Sequence, residues 1–200
     1  MEIDTSYLQY IRTKCAHLSI PKDEMDKFES QLTVQTYKKN EYLIREGDIP
    51  TTISFVISGL FRAFYLTSDG EEKTIVFRGK GRVLSSYSSY IKNASSKFSI
   101  EALEESVVLS ITIKDFEDLL HHNTCWEIIK GNYFLHIYIE KETRERNLLS
   151  NTAKDNYKQF LQDYPGFINR INHYYIASYL GITNVSLSRI RKEINEDNAK

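Results

Sequence analysis

The chain has 200 residues, 41% of them hydrophobic and 26% charged, with a net charge of −1, which excludes a disordered polyelectrolyte and leaves ample length for a buried core. No apolar run approaches the roughly 20 residues that span a bilayer, so no membrane partner is expected. MEIDTSYLQY lacks the basic-then-apolar order of a secretory signal, and Cys15 and Cys125 stand alone, so a reduced cytoplasmic setting is the expectation.

Tyr7, Leu8, Ile11 and Leu18 lie at helical spacing within residues 4–18, and Pro21 followed by Asp23 and Glu24 opens a short second helix. From Val34 the period changes to two. Short runs follow: Leu32–Tyr37, Glu41–Arg45, Thr52–Ile57, Leu60–Tyr65, Lys73–Phe77, Phe98–Leu103 and Val107–Ile111. Glu46-Gly47-Asp48, Ser58-Gly59, Ser68-Asp69-Gly70 and Gly79-Lys80-Gly81 punctuate them. Short strands with regular turn signals predict a compact antiparallel roll or barrel.

Thr124–Leu149 contains no proline and a single glycine, Gly131, and predicts one long helix. Trp126, Ile129, Tyr133, Ile137 and Glu140 fall on one stripe, widened by Ile128, Phe134, Leu135 and Ile139. Such a helix needs cover, either from its own roll or from a twin across a two-fold axis, and the twin is the favoured reading. Thr152-Ala153-Lys154-Asp155 resembles a capping box; Tyr157, Phe160 and Leu161 form the core face of the next helix, which Tyr164-Pro165-Gly166 ends.

His173–Lys192 then reads as a helix, a tight turn and a second helix. Ile176, Ala177 and Leu180 line one face, and Gly181 supplies the turn. Thr183 or Asn184 can cap the second helix, whose buried pair is Leu187 and Ile190. Asn184, Val185, Ser188, Arg189 and Lys192 remain on the outside, the layout of a helix-turn-helix. No acid occurs from Tyr164 to Lys192, while Arg170, Arg189, Arg191 and Lys192 are basic, which suits a polyanion.

IASYLGIT, two residues, then LSRIRK resembles the C-terminal helix-turn-helix of the Crp/Fnr bacterial transcription regulators, most closely the subgroup typical of Bacteroidetes. YLIREGD, FVISGLFRAFY and FSIEALEESVVLSITIKDFEDLL resemble, in order and spacing, that family's cyclic-nucleotide-binding-like roll and the helix after it. The resemblance implies an α+β chain: an N-terminal antiparallel jelly roll (1–123), a dimerisation helix (124–150) and a C-terminal helix-turn-helix, winged-helix-like with a shortened wing (151–200). The wing is shortened because only Glu193–Lys200 follow the recognition helix. The resemblance further implies double-stranded DNA, a second copy of the chain, RNA polymerase and a small-molecule effector as partners.

Two departures from the family pattern bear on function. The family grips a cyclic nucleotide with a Gly-Glu pair on the ribose and an Arg-Ser pair on the phosphate. Here RVLSSYSSYIKNASSKF has no Gly-Glu, and the Arg-Ser position falls near Ser96-Lys97. Cyclic AMP sensing is therefore not expected; Ser85, Ser86, Ser88 and Ser89, with Ser96, Arg82 and Lys97, outline either a pocket for another anion or a polar loop over a vestigial one. In the recognition helix the family's Arg-Glu-x-x-x-Arg reads Asn184, Val185 and Arg189. Arg189 suits guanine, Val185 a thymine methyl, and Asn184 adenine or a cap. The implied DNA-facing set is Thr183, Asn184, Val185, Ser188, Arg189, Arg191 and Lys192, with Arg170 on phosphate.

His121-His122 near Glu117 and Asp118 has no third ligand at a defined spacing, and Cys15 alone makes no iron–sulphur site, so neither a metal nor a cofactor is expected. No nucleophile elbow, phosphate loop or dinucleotide fingerprint occurs, and an enzyme is not expected. The reading is a homodimeric DNA-binding regulator; its alternative is a small-molecule-binding or protein-interaction module with a non-functional helix-turn-helix.

Overall fold

The computed structural model describes residues 3–198. Helix α1 (Thr5–Cys15), a 3₁₀ turn (Ala16–Leu18) and α2 (Lys22–Ser30) lead into β1 (Thr33–Tyr37), β2 (Tyr42–Ile44), β3 (Thr52–Ser58), β4 (Leu60–Leu66), β5 (Glu72–Gly79) and β6 (Val83–Leu84). A short helix α3 (Tyr87–Ile91) precedes β7 (Ser99–Ala102) and β8 (Ser106–Thr112). Then come α4 (Ile113–His122), α5 (Thr124–Ser150), α6 (Ala153–Asp163), α7 (His173–Leu180) and α8 (Asn184–Asn198).

The strands form two four-stranded antiparallel sheets, ordered β1-β8-β3-β6 and β2-β7-β4-β5, the jelly roll that the alternating runs predict. Alternation places Val56, Phe61, Leu84, Ile100 and Val108 in the roll interior. Gly59 makes the corner between β3 and β4: its φ is +91°, and a Cβ there would meet Ser106 Oγ at 2.0 Å. The stretch that reads as a polar cassette contributes β6 and α3, too short to stand out by periodicity.

A second core lies outside the roll, where Phe28 of α2, Ile53 of β3, Leu119 of α4 and Trp126 of α5 pack together. Trp126 packs on Phe28 at a tilt, with ring centroids 5.2 Å apart, and its Nε1 donates to buried Glu24 at 2.8 Å. The chain's own roll thus covers part of the stripe read from the sequence. Trp126 is buried, and Ile129, Tyr133 and Ile137 are half-buried on a cavity of the chain's own N-terminal half. The uncovered apolar face of α5 is another one: Ile128 is 63% exposed, Leu135 58%, Tyr138 65% and Leu149 82%. A helix apolar on two sides has one stripe for its own roll and one left over, and period alone does not rank them.

The third core joins α6, α7 and α8 (Tyr157, Phe160, Ile176, Leu187, Ile190) to Leu60, Phe77 and Leu103 of the roll. The C-terminal helices thus share their apolar centre with the sheet. Glu193–Asn198 continues α8, and no strand follows it among the described residues.

Candidate nucleic-acid interface and roll pocket

Helix α7 starts where the Asn172 side chain accepts from Tyr174 N–H at 3.0 Å and ends at Gly181, whose φ of +69° lets its N–H close on the Ala177 carbonyl. Two residues later Thr183 Oγ1 accepts from Ser186 N–H at 3.2 Å. Thr183, of the two candidates, is the cap, and Asn184 is the first helical residue. Leu187 and Ile190 turn inward, and so does Ile194. Asn184, Val185, Ser188, Arg189 and Lys192 are exposed, with Val185 at 70%.

The basic residues of the segment are not equivalent. Arg189 makes no ion pair among the described residues. Lys192 lies 3.8 Å from Glu196 one turn on, a weak exposed contact. Arg191 is half-buried against the His173 ring, and burial, then the Arg191 charge, holds that imidazole below its usual range, so a neutral ring accepts from the guanidinium at pH 7. Arg170, expected on phosphate, is turned back onto the roll in a two-pronged pair with Glu104, one arm at 3.1 Å. Its planar fork finds a carboxylate within its own chain before any ligand arrives.

The opposite face of the motif is fastened to the roll. Arg62 of β4, 1% exposed, donates to Glu101 at 2.5 Å and pairs with Glu72; its guanidinium lies between the rings of Phe64 and Tyr175, 4.1 and 3.6 Å from their centroids. Ser178 Oγ accepts from Thr74 N–H at 2.9 Å and donates to the Glu72 carbonyl at 2.8 Å. Arg144 of α5 donates to the carbonyls of Tyr179 (2.8 Å) and Thr74 (3.3 Å) while lying over the Tyr179 ring. Arg78 of β5 bonds Glu140 of α5 at 2.6 Å. Burial, then Tyr179, pushes the Tyr164 phenol well above its usual range, so it is neutral in this core. Sequence reading missed this joint. The available signal is a charge in mid-strand, Arg62 in LFRAFYL and Glu101 in SIEA, where a neighbouring element must supply cover.

In the roll pocket, Ser86, Ser89 and Ser96 are buried and satisfy one another. Ser96 donates to Ser86 at 2.9 Å, Ser86 to Ser89 at 3.2 Å, and Ser96 Oγ lies 2.7 Å from the Phe98 carbonyl. Ser85 donates to the Thr52 carbonyl at 3.1 Å. Ser88 and Lys97 are exposed, and Arg82 points away to His136 on α5, at 3.3 Å. The hydroxyl set therefore folds into a self-bonded loop, and the structure does not bring Arg82 and Lys97 together over it. The buried guanidinium of Arg62 lies on the outer face of the other sheet, under α7.

Residues 34–123 match the family model of the cyclic nucleotide-binding domain. No curated protein matches the chain by sequence. Among solved structures the chain shares its fold with FixK2 from Bradyrhizobium japonicum (TM-score 0.73, 20% identity, covering 84% of this chain and 86% of that one). It likewise resembles a putative transcriptional regulator of the Crp/Fnr family from Eubacterium rectale (TM-score 0.71, 16% identity, 89% and 85%). A third neighbour is the c-di-GMP-responsive global regulator CLP of Xanthomonas campestris (TM-score 0.67, 14% identity, 89% and 93%). The architecture, roll, long helix and C-terminal helices, is thus shared with these solved structures.

Proposed function

We propose that this chain is a cytoplasmic, non-enzymatic transcription regulator of the Crp/Fnr type, of the subgroup its motif resembles, acting as a homodimer on double-stranded DNA. Its division is an effector part (1–123), a dimerisation helix (124–150) and a DNA-binding part (151–200). One observation carries the reading: the outer face of α8 presents Asn184, Val185, Ser188 and Arg189 exposed, in a segment from Tyr164 to Lys192 that contains no acid. Arg189 is the base reader, forking onto guanine; Val185 meets a thymine methyl; Thr183 and Lys192 meet phosphate. Arg170 joins them only if its pair with Glu104 opens. A salt-dependent gel shift on the DNA upstream of its own gene tests this. The account expects a specific complex that weakens steeply with salt. A chain that shifts no duplex at low salt is instead the interaction module.

The seam of the dimer is the uncovered face of α5. Ile128 and Leu135 lie one heptad apart with Tyr138 one turn on, Leu149 two heptads past Leu135 and Glu142 between, and so much exposed apolar surface calls for a partner helix. Ile128→Glu with Leu135→Glu is expected to give folded monomers in sedimentation velocity, while Ile129→Glu damages the chain's own fold; a monomeric parent at micromolar concentration contradicts the seam. Arg144 and Arg78 tie α5 to β5 and α7, so a change in α5 reaches the helix-turn-helix through bonded contacts.

The roll is not a cyclic AMP site. A cyclic phosphate there forgoes a charge-assisted fork, which contributes about 1.5–3 kcal/mol. Calorimetric titration is expected to find no cyclic AMP binding tighter than about 10 µM, and a tighter constant overturns the reading.

A further inference from the structure

An apolar cavity of about 450 Å³ lies outside the roll, enclosed by α1 and the 3₁₀ turn, by β3 and β6, and by the first half of α5. Ile11, Phe55, Val83, Trp126, Tyr133 and Ile137 make its walls. It is distinct from the self-bonded serine loop: of those hydroxyls only Ser85 reaches it, and Ser86, Ser89 and Ser96 do not. Its volume falls in the range of small-molecule sites, which are mostly apolar with a few placed polar groups.

The charged groups here are of one sign. No Asp or Glu lines the cavity among the described residues, whereas Lys14, Arg78, Arg82 and Lys130 do. Two of these are already neutralised, Arg78 by Glu140 and Lys130 by Glu127. Lys14 and Arg82 have no acidic partner among the described residues; Lys14 lies near the Tyr10 ring and Arg82 reaches only His136. Tyr10 also closes the rim, its hydroxyl set against the turn at Gly81, where a Cβ would stand 2.7 Å from it.

We propose that this cavity binds an amphipathic monoanion: an aliphatic chain packed on Phe55, Val83 and Ile137, ending in a carboxylate held at the mouth by Lys14 and Arg82. A neutral hydrocarbon leaves the two cations without purpose. A nucleotide, with several charges and a polar sugar, does not suit walls built mainly of Ile11, Phe55, Val83, Trp126 and Ile137. The bound chain touches α1 and α5 together, so occupancy bears directly on the helix assigned to dimerisation. The binding step itself does not depend on the DNA reading, and its measurement involves no DNA.

The test is calorimetric titration of the full chain with dodecanoate below its micellar concentration, with dodecyltrimethylammonium and dodecanol as probes of the same tail. Dodecanoate is expected to saturate one site per chain and to bind about tenfold more tightly than the ammonium, as a charge-assisted contact at a partly exposed mouth allows. Lys14 and Arg82 are both exposed, so the double variant Lys14→Gln, Arg82→Gln keeps the fold. It is expected to lose about tenfold in dodecanoate affinity and to bind dodecanol unchanged. Four results overturn the proposal: no saturation up to millimolar dodecanoate; an ammonium that binds equally well; a double variant that binds dodecanoate undiminished; or dodecanoate affinity that falls as protein concentration rises, which places a second copy in the cavity.

Discussion

Helices α7 and α8 belong to one motif, yet α7 is bonded to the roll through buried groups while α8 turns its polar face to solvent. Ser178 and Tyr175 of α7 meet Thr74, Glu72 and Arg62, the last 1% exposed. Arg189 and Val185 of α8 meet no described residue of the roll by ion pair or core contact, and Val185 is 70% exposed. The difference separates two jobs that one motif must do. A helix that fixes orientation needs dehydrated, paired contacts, where each lost partner is costly; a helix that reads a ligand must leave its side chains unspent.

Breaking the fixed side should cost most. Arg62→Leu leaves Glu72 and Glu101 facing each other without their cation, and removing one partner of a buried ion pair costs about 3–5 kcal/mol. Chemical denaturation should show that loss, and adding Glu101→Gln should recover part of it; an unchanged midpoint would mean that the triad does not hold α7. A smaller loss is expected from Ser178→Ala, which strands the Thr74 N–H and the Glu72 carbonyl at about 1–2 kcal/mol, read in the same experiment. On the free side, Lys192→Ala should leave the melting point within the scatter of a surface substitution, about 0.5 kcal/mol. Its effect appears only with DNA, as equal weakening on all sequences and a salt slope lower by about one.

Much of this molecule is legible in its residues. Alternation and glycine-rich turns announce the strands, because a roll buries every second side chain and its corners demand special φ. Gly181 and the Leu187–Ile190 pair announce the motif for the same kind of local reason. What stays hidden is what covers what. The stripe through Trp126 and Tyr133, widened by Ile128 and Leu135, calls for cover from the roll or from a twin; Trp126 and Tyr133 line the chain's own α2, β3 and α1, and Ile128 and Leu135 are the face left over. The hydroxyls of Ser86, Ser89 and Ser96 read equally as a pocket or as a polar loop, because sequence does not say which partners buried hydroxyls find; here they find one another. Arg62 and Glu101, 39 residues apart in sequence, are joined only by the pairing of β4 with β7.

The central claim is that α8 reads base pairs through Arg189, and one measurement addresses it. The parent and Arg189→Ala are compared on a duplex selected from random DNA by the parent, and on its scramble, at two salt concentrations. The account predicts that Arg189→Ala loses about 1–3 kcal/mol on the selected duplex and keeps weak, salt-sensitive binding equal on both. Should Arg189→Ala prefer the selected duplex as strongly as the parent does, α8 is not the reading helix.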